Sequence, residues 1–302
     1  MVHNQIQKPH IGFIGMGSMG SLMTMRLLQA GYPLSVYDRT KEKTQEAVQN
    51  GAKLADTPRD LALNSDFVLS SVTDNHALHE LMYGQHGAVA GAKPGSVFVD
   101  LSTIAPDQSC QLAAAVKEQG AEMIDAAVSG STPQAKEGEL VIFVGGEQEA
   151  YSKAKPILEH LGKSVFYMGQ QGMGTAMKMV VNTLLGLGMQ AVAEAVALGE
   201  KAGLEKNMLL DVLGQTAVIA PTHKAKLDNL KNGEYPTTFA LALMRKDFSL
   251  IMREAAELSV SMPATAAAEQ MYAAALARGL DADYSIMLQF MREMAGIEEE
   301  QK

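Results

Sequence analysis

Short apolar runs recur through the first half of the chain: IGFIG, LSVYD, FVLSSV, SVFVDLS, AEMIDAAV, LVIFVGG and SVFYMG, all between Ile11 and about Met168. Between them the apolar positions fall at helical spacing, in the segment to Gly31, through Val48, near 76–83 and before AEMIDAAV. Strands alternating with helices predict βαβ crossovers and a mostly parallel sheet. Beyond Gly174 the pattern changes. Up to about Ala295 it shows stretches rich in Ala, Leu, Met, Glu and Lys, punctuated by Gly203, Pro221, Pro236, Pro263 and Gly279, which predict an all-helical half. The segment MGQQGMG breaks the pattern near residue 170, so an α/β domain is expected over residues 1–170 and an all-α domain over 171–302. A long helix opens the second half and joins the two.

Composition narrows the class. A chain of 302 residues with 47% hydrophobic and 20% charged positions has the balance of a globular protein large enough for two domains. Its net charge of −9, from 25 basic against 34 acidic residues, is opposite to that of a protein built to track phosphate backbones, so no nucleic-acid partner is expected. Cys110 stands alone and permits neither an intrachain disulfide nor a cysteine-based zinc cluster. The opening MVHNQIQKPH has no secretory pattern, and a cytoplasmic location is expected. The longest apolar tract, Met173 to Leu198, is interrupted by Lys178, Asn182, Gln190 and Glu194, so it reads as a buried helix and no membrane partner is expected. The tail GIEEEQK reads as a solvated charge run. Twenty methionines against no tryptophan suggest cores filled by flexible side chains, Met173, Met177, Met179, Met189, Met244 and Met287 among them.

Chemistry first appears in the loop Gly15-Met16-Gly17-Ser18-Met19-Gly20, which follows a predicted strand and opens a predicted helix. In a dinucleotide site the first glycine makes a tight turn, the second lets backbone approach pyrophosphate, and the third lets helix pack on strand. The helix N-terminus then holds the negative charge. Glycines that merely turn a strand into a helix are the alternative, and Asp38, ending the second strand about 20 residues on, weighs against it. A carboxylate there accepts from ribose hydroxyls and repels a 2′-phosphate, which favours NAD over NADP. Arg39 and Thr40 leave NADP open, since an Arg fork suits a 2′-phosphate; an ordinary solvated charge is the other reading of Arg39. Val72 and Thr73, with Asp74 and Asn75, read as a loop over the dinucleotide.

Gly174, Lys178 and Asn182 are spaced i, i+4, i+8 and share one helix face. An ammonium within reach of a carbonyl can donate a proton as hydride arrives, and the neutral amine can take it back in oxidation. By itself the segment also allows a lysine stem that runs along a buried helix to solvent. Ser129, Gly130 and Ser131 follow a strand and offer N–H groups and hydroxyls suited to a carboxylate, or form a simple turn. His76 and His79 lack a third ligand at recognisable spacing, so no metal is expected. Cys110 reads as a small apolar helix residue.

Four further segments complete a pattern: Asp100-Leu101-Ser102-Thr103, Asp125 to Ser131, Gly174 to Asn182, and Phe239 with Lys246-Asp247-Phe248. With the glycine loop, and over about residues 9–295, they resemble the β-hydroxyacid dehydrogenase family, which includes 3-hydroxyisobutyrate dehydrogenase, tartronate semialdehyde reductase and the glyoxylate/succinic semialdehyde reductases. The resemblance implies an α/β Rossmann domain, a long interdomain helix, and an all-α domain that shares the substrate cleft. It implies NAD or NADP as cofactor and a small carboxylate-bearing aldehyde or alcohol as substrate. Lys178 matches the family's catalytic lysine and Asn182 its substrate-orienting asparagine. Thr103 matches a cofactor and substrate contact, Ser129 and Gly130 the carboxylate loop, Phe239 and Asp247 active-site residues, and Lys246 a cofactor contact. Ala127, Ser131 and Thr183 depart from the usual Pro, Gly and Asn, and Ser131 adds a hydroxyl beside the expected carboxylate. Two alternatives stand beside this reading. An imine reductase usually lacks the lysine, and a catalytically silent dinucleotide module would not fill every catalytic position. The apolar helical half implies a homodimer or homotetramer.

Overall fold

The computed structural model describes residues 8–297 apart from Asp74. The stretch before Lys8, read above for a targeting signal, and most of the acidic tail lie outside the described residues. Among the described residues one sheet contains β1 (Ile11–Ile14), β2 (Leu34–Tyr37), β3 (Lys53–Leu54), β4 (Phe67–Ser70), β5 (Val97–Asp100), β6 (Glu122–Ser129), β7 (Leu140–Gly146) and β8 (Gly162–Gly169). Its spatial order is β3-β2-β1-β4-β5-β6-β7-β8. Every pairing is parallel except β6 with β7, which runs antiparallel from Ile124↔Gly146 to Ser129↔Val141. The link between β6 and β7 falls short of the roughly dozen residues a parallel crossover needs, so the chain can only turn back. The short strand β3 and the helix Pro58–Leu63, which starts at a Thr57 cap, carry too few residues for a period to show in the sequence.

Burial follows from covering both faces. All of β1 is buried. Ile11 and Phe13 pack with Met23 and Leu27 of the helix Ser18–Gln29 on one face, while Ile14 packs with Leu61 and Phe98 on the other. Near-continuous apolar strands are what a doubly covered parallel sheet requires. Because β2 and β4 flank β1 on opposite sides, the connections leaving β1 and β4 diverge and open a crevice at the strands' C-terminal ends.

The chain divides into two compact units between Lys178 and Met179. That point lies within the first two turns of the long helix Met173–Lys201, later than the pattern break near residue 170. The first turn stays with the sheet because Gly172 and Thr175 donate their N–H groups to Asp125 of β6. The second unit continues in helices Lys206–Gln215, Pro221–Asn232, Leu241–Glu257, Pro263–Ala277 and Met287–Met294. Pro221 and Pro263 stand in the first turn of their helices, where a missing N–H costs nothing. Phe248 and Tyr272 meet edge to face, centroids 5.2 Å apart, and Met189, Met244, Met287 and Phe290 are buried in the same unit. Buried Met179 also fits the filler role, whereas Met173 is 43% exposed and does not. By length and composition, with a mean hydropathy of 1.4, the long helix passes for a membrane span. It nevertheless buries Thr175, Lys178, Asn182 and Gln190, side chains that are costly in hydrocarbon.

Candidate active site

The glycine loop leaves β1 through Gly15 at φ +95°, a conformation that L side chains rarely adopt, and a Cβ there would stand 2.2 Å from the Ser71 carbonyl. At Gly20 a Cβ would meet the Gly15 carbonyl at 1.9 Å, so this glycine lets the helix Ser18–Gln29 close on the turn. Gly17 differs: nothing stands within 4 Å of the position its Cβ would take, and no side chain caps the helix at this N-cap residue. Open space over an uncapped helix start fits a pyrophosphate. Ser18 is exposed and Met19 half-buried in the first helical turn, and Met16 is buried.

Asp38 sits just past β2 with both oxygens engaged. Its Oδ2 accepts the Met16 N–H at 2.7 Å and its Oδ1 accepts the Thr40 N–H at 2.8 Å. The carboxylate therefore also braces the glycine loop, which sequence spacing could not reveal. Arg39, Thr40, Val72 and Thr73 line the same pocket, joined by Lys43, which the sequence reading missed. Arg39 Nη1 reaches Glu80 Oε2 at 3.1 Å, an exposed pair of the kind worth little. The loops after β4 and β5 are tied together: Ser70 Oγ donates to Asp100 Oδ1 at 2.7 Å, and the Val72 N–H donates to Ser102 Oγ at 3.0 Å. Burial raises the Asp100 carboxyl above its ordinary value, against hydrogen bonds from Ser102 and Ser70. Thr103 follows directly on this brace.

At the end of β6, Ser129 and Gly130 begin the second predicted loop, with Gly130 at φ +134° and packed where a Cβ would meet Leu140 at 2.8 Å. Ser131 has a local task. Its N–H and its hydroxyl both donate to Gln134 Oε1 at 3.0 Å, at the start of the helix Thr132–Glu137. The extra hydroxyl is thus engaged as part of a helix cap, the alternative to a carboxylate contact that a Ser-x-x-Gln spacing signals.

On the long helix, Lys178 and Asn182 are buried one turn apart. Gly174 is small for another reason: a Cβ there would lie 2.3 Å from the Phe143 carbonyl and 2.7 Å from Asp125 Oδ2. Within the helical unit Asn182 Nδ2 donates to Asp247 Oδ2 at 2.5 Å, and Lys246 Nζ stands 2.9 Å from Asp247 Oδ1. Asn182 Oδ1 is buried with no hydrogen-bond partner. Phe239 meets Tyr284 edge to face, and its backbone N–H donates to Asp283 Oδ2 at 3.1 Å. Asp283 is a second residue the sequence reading missed; its signal is the Asp-x-Ser cap with Ser285 at the turn before the last helix.

Elsewhere, His76 and His79 are exposed on the helix Asn75–Tyr83, beside Glu80 and Tyr83 respectively. Cys110 lies on the helix Pro106–Glu118 and is exposed, its thiol donating to the Gln171 carbonyl at 3.5 Å.

Comparison with known proteins gives matches along nearly the whole chain. Residues 10–169 match the NAD binding domain of 6-phosphogluconate dehydrogenase, and residues 172–291 match the family described as NAD-binding of NADP-dependent 3-hydroxyisobutyrate dehydrogenase. The chain is 37% identical to glyoxylate/succinic semialdehyde reductase 2, chloroplastic, of Arabidopsis thaliana, over 93% of this chain and 79% of that protein. It is 32% identical to 2-(hydroxymethyl)glutarate dehydrogenase of Eubacterium barkeri, over 95% and 96%. Among solved structures, 3-hydroxyisobutyrate dehydrogenase of Mycobacterium tuberculosis, determined with L-serine, superposes with a TM-score of 0.85 at 26% identity, covering 94% of this chain and 99% of that one.

Proposed function

The chain belongs to the β-hydroxyacid dehydrogenase family of NAD(P)-dependent oxidoreductases, and on that premise we propose that it reduces a small carboxylate-bearing semialdehyde or glyoxylate with Lys178 as proton donor. One observation carries the proposal: buried Lys178 precedes by one helical turn a buried Asn182 whose amide N–H₂ is held by Asp247 and whose Oδ1 has no partner. The dihydronicotinamide, when bound, supplies the hydride that becomes the new C–H bond. Lys178 ammonium gives the proton that turns the carbonyl oxygen into a hydroxyl, and in oxidation the neutral amine takes that proton back. Asn182, its donor side committed to Asp247, presents an acceptor that holds the substrate hydroxyl or the lysine in line. Ser129 and the Gly130 N–H hold the carboxylate, with Thr103, Phe239 and Asp247 completing the substrate contacts and Lys246 a cofactor contact.

For the cofactor, the glycine loop and Asp38 take the pyrophosphate and adenosine ribose. We infer that NADP serves as well as NAD, because both Asp38 oxygens already accept backbone N–H groups while Arg39 and Lys43 bring two cations to the pocket. The proposal includes a homo-oligomer in the cytoplasm.

The test crosses both reduced cofactors with a panel of small semialdehydes and glyoxylate, read at the nicotinamide absorbance band. Lys178→Ala is expected to lower kcat by about 10²–10⁴-fold on every accepted substrate. Unchanged turnover in that variant overturns the assignment. Arg39→Ala is expected to cut kcat/KM with NADPH by about tenfold or more and to leave NADH untouched.

A further inference from the structure

Asp125 belongs to a segment the sequence singles out, yet the proposed reaction gives it no task. It is 1% exposed, in the middle of β6, directly opposite Gly145 in the antiparallel pairing with β7. The start of the long helix lands on this pair. Asp125 Oδ1 accepts the Gly172 N–H and Oδ2 accepts the Thr175 N–H, each at 2.7 Å. Gly145 makes the landing possible, since a Cβ there would stand 2.5 Å from the Gln170 carbonyl, 2.6 Å from Asp125 Oδ1 and 2.9 Å from the Gly174 nitrogen. The turn is also held from the side by Gln171 Nε2, which donates to Ser109 Oγ at 2.8 Å.

Two directions lead away from this joint. Along β6, Ser129 lies four residues on and shares the Asp125 face, because side chains alternate with period two. Along the helix, Lys178 comes three residues after Thr175, less than one turn from the N–H that Asp125 holds. A single carboxylate thus joins the strand that ends in the Ser129–Gly130 loop to the helix that carries the lysine.

We propose that Asp125 is a positioning residue for the reaction, fixing the register of Lys178 relative to the Ser129–Gly130 loop. The inference rests on the reading of Lys178 as proton donor. Two buried charge-assisted hydrogen bonds to orphan N–H donors three residues apart at a helix start hold the helix in translation and rotation at once. Asparagine at this position offers one acceptor where two are needed and turns an N–H₂ toward a backbone N–H. A misplacement of about 1 Å is enough to cost on the order of 10²-fold in rate.

Asp125→Asn and Gly145→Ala disturb the joint from opposite sides, and the second leaves the carboxylate in place. Each is assayed alone and combined with Lys178→Ala, using glyoxylate and succinic semialdehyde at saturating cofactor. In both single variants kcat is expected to fall about 10–100-fold. KM for the dinucleotide, whose pyrophosphate and adenosine ribose are assigned to the ends of β1 and β2, away from β6, should stay within about twofold. In the Lys178→Ala background neither change should cost anything more. Unchanged kcat in the two folded variants, with only a lower melting temperature, would reduce Asp125 to a stability role and overturn the proposal. The same fold-loss with and without Lys178 would overturn it too, since Asp125 would then act independently of the lysine. Wild-type turnover in Lys178→Ala alone is a different result: it removes the lysine reading itself and the inference with it.

Discussion

At the scale of single residues, Asp283 shows how one buried carboxylate can organise a loop. Its Oδ2 accepts from Lys226 Nζ at 2.8 Å and from the Thr238 and Phe239 N–H groups at 3.0 and 3.1 Å, and its Oδ1 accepts from the Ser285 hydroxyl at 2.7 Å. Burial opposes the charge, but the hydrogen bonds from Lys226, Thr238, Ser285 and Phe239 outweigh it, so the carboxyl titrates below its ordinary value. A lowered folded-state value means that the stabilisation is fully present above the ordinary carboxylate range and is lost as pH falls through the folded-state value. Asp283→Asn is expected to cost about 3 kcal/mol in urea unfolding, because it leaves the Lys226 ammonium with no charged partner there. The variant's melting temperature should also fall less steeply than the wild type's below about pH 4. Equal slopes in the two proteins would show that Asp283 does not carry this pH dependence. Asp283 is invisible in the sequence for a physical reason: its partners come from segments far apart in the chain, and only the local Asp-x-Ser cap leaves a trace.

At the scale of elements, glycine marks where helices approach. Within the helical unit a Cβ on Gly186 would stand 2.3 Å from Phe248 Cζ, and the Gly186 carbonyl accepts the Tyr272 hydroxyl at 3.1 Å. Gly214, inside the helix Lys206–Gln215, has nothing within 4 Å. Gly186→Ala is therefore expected to destabilise the protein by about 1–3 kcal/mol through overpacking. Gly214→Ala should stabilise it by about 0.5–1 kcal/mol through the entropy of the unfolded chain. Urea titration of both variants checks the opposite signs, and a shared sign would overturn the packing argument. The same contrast explains what was legible beforehand. Periodicity placed β1, β2 and β4–β8 and the long helix because each carries enough residues for a pattern, while β3 and Pro58–Leu63 do not. The glycine loop was readable because its three glycines answer to local geometry. Ser131 and Asp38 were only half readable: residue type suggested a ligand contact, and the geometry adds a helix cap and a brace on the Met16 N–H.

At the scale of the whole molecule, the long helix sets the remaining problem. Its buried side carries Thr175, Lys178, Asn182 and Gln190, while Val180 is 56% exposed, Leu184 70% and Leu198 73%. Ala191 is exposed as well, so Leu184, Ala191 and Leu198 recur every seven residues, two turns, and form one apolar line on the outside of the helix. Large side chains in a contiguous line on a surface mark an interaction face. A second copy of this chain is the occupant the proposed homo-oligomer implies: the line is self-complementary when two such helices pack across a two-fold axis, with exposed Glu194 at its flank. Wild-type protein should therefore run as a homodimer or larger homo-oligomer in light scattering, and the double variant Leu184→Glu/Leu198→Glu should shift it to the monomer mass. The introduced carboxylates would be drawn out of water against the partner's apolar line, which costs far more in the assembly than in the exposed monomer. Gly214→Ala, with open space around it, serves as the control whose mass should not change. A monomeric wild type, or a double variant that keeps the wild-type mass, would overturn the assignment of this face.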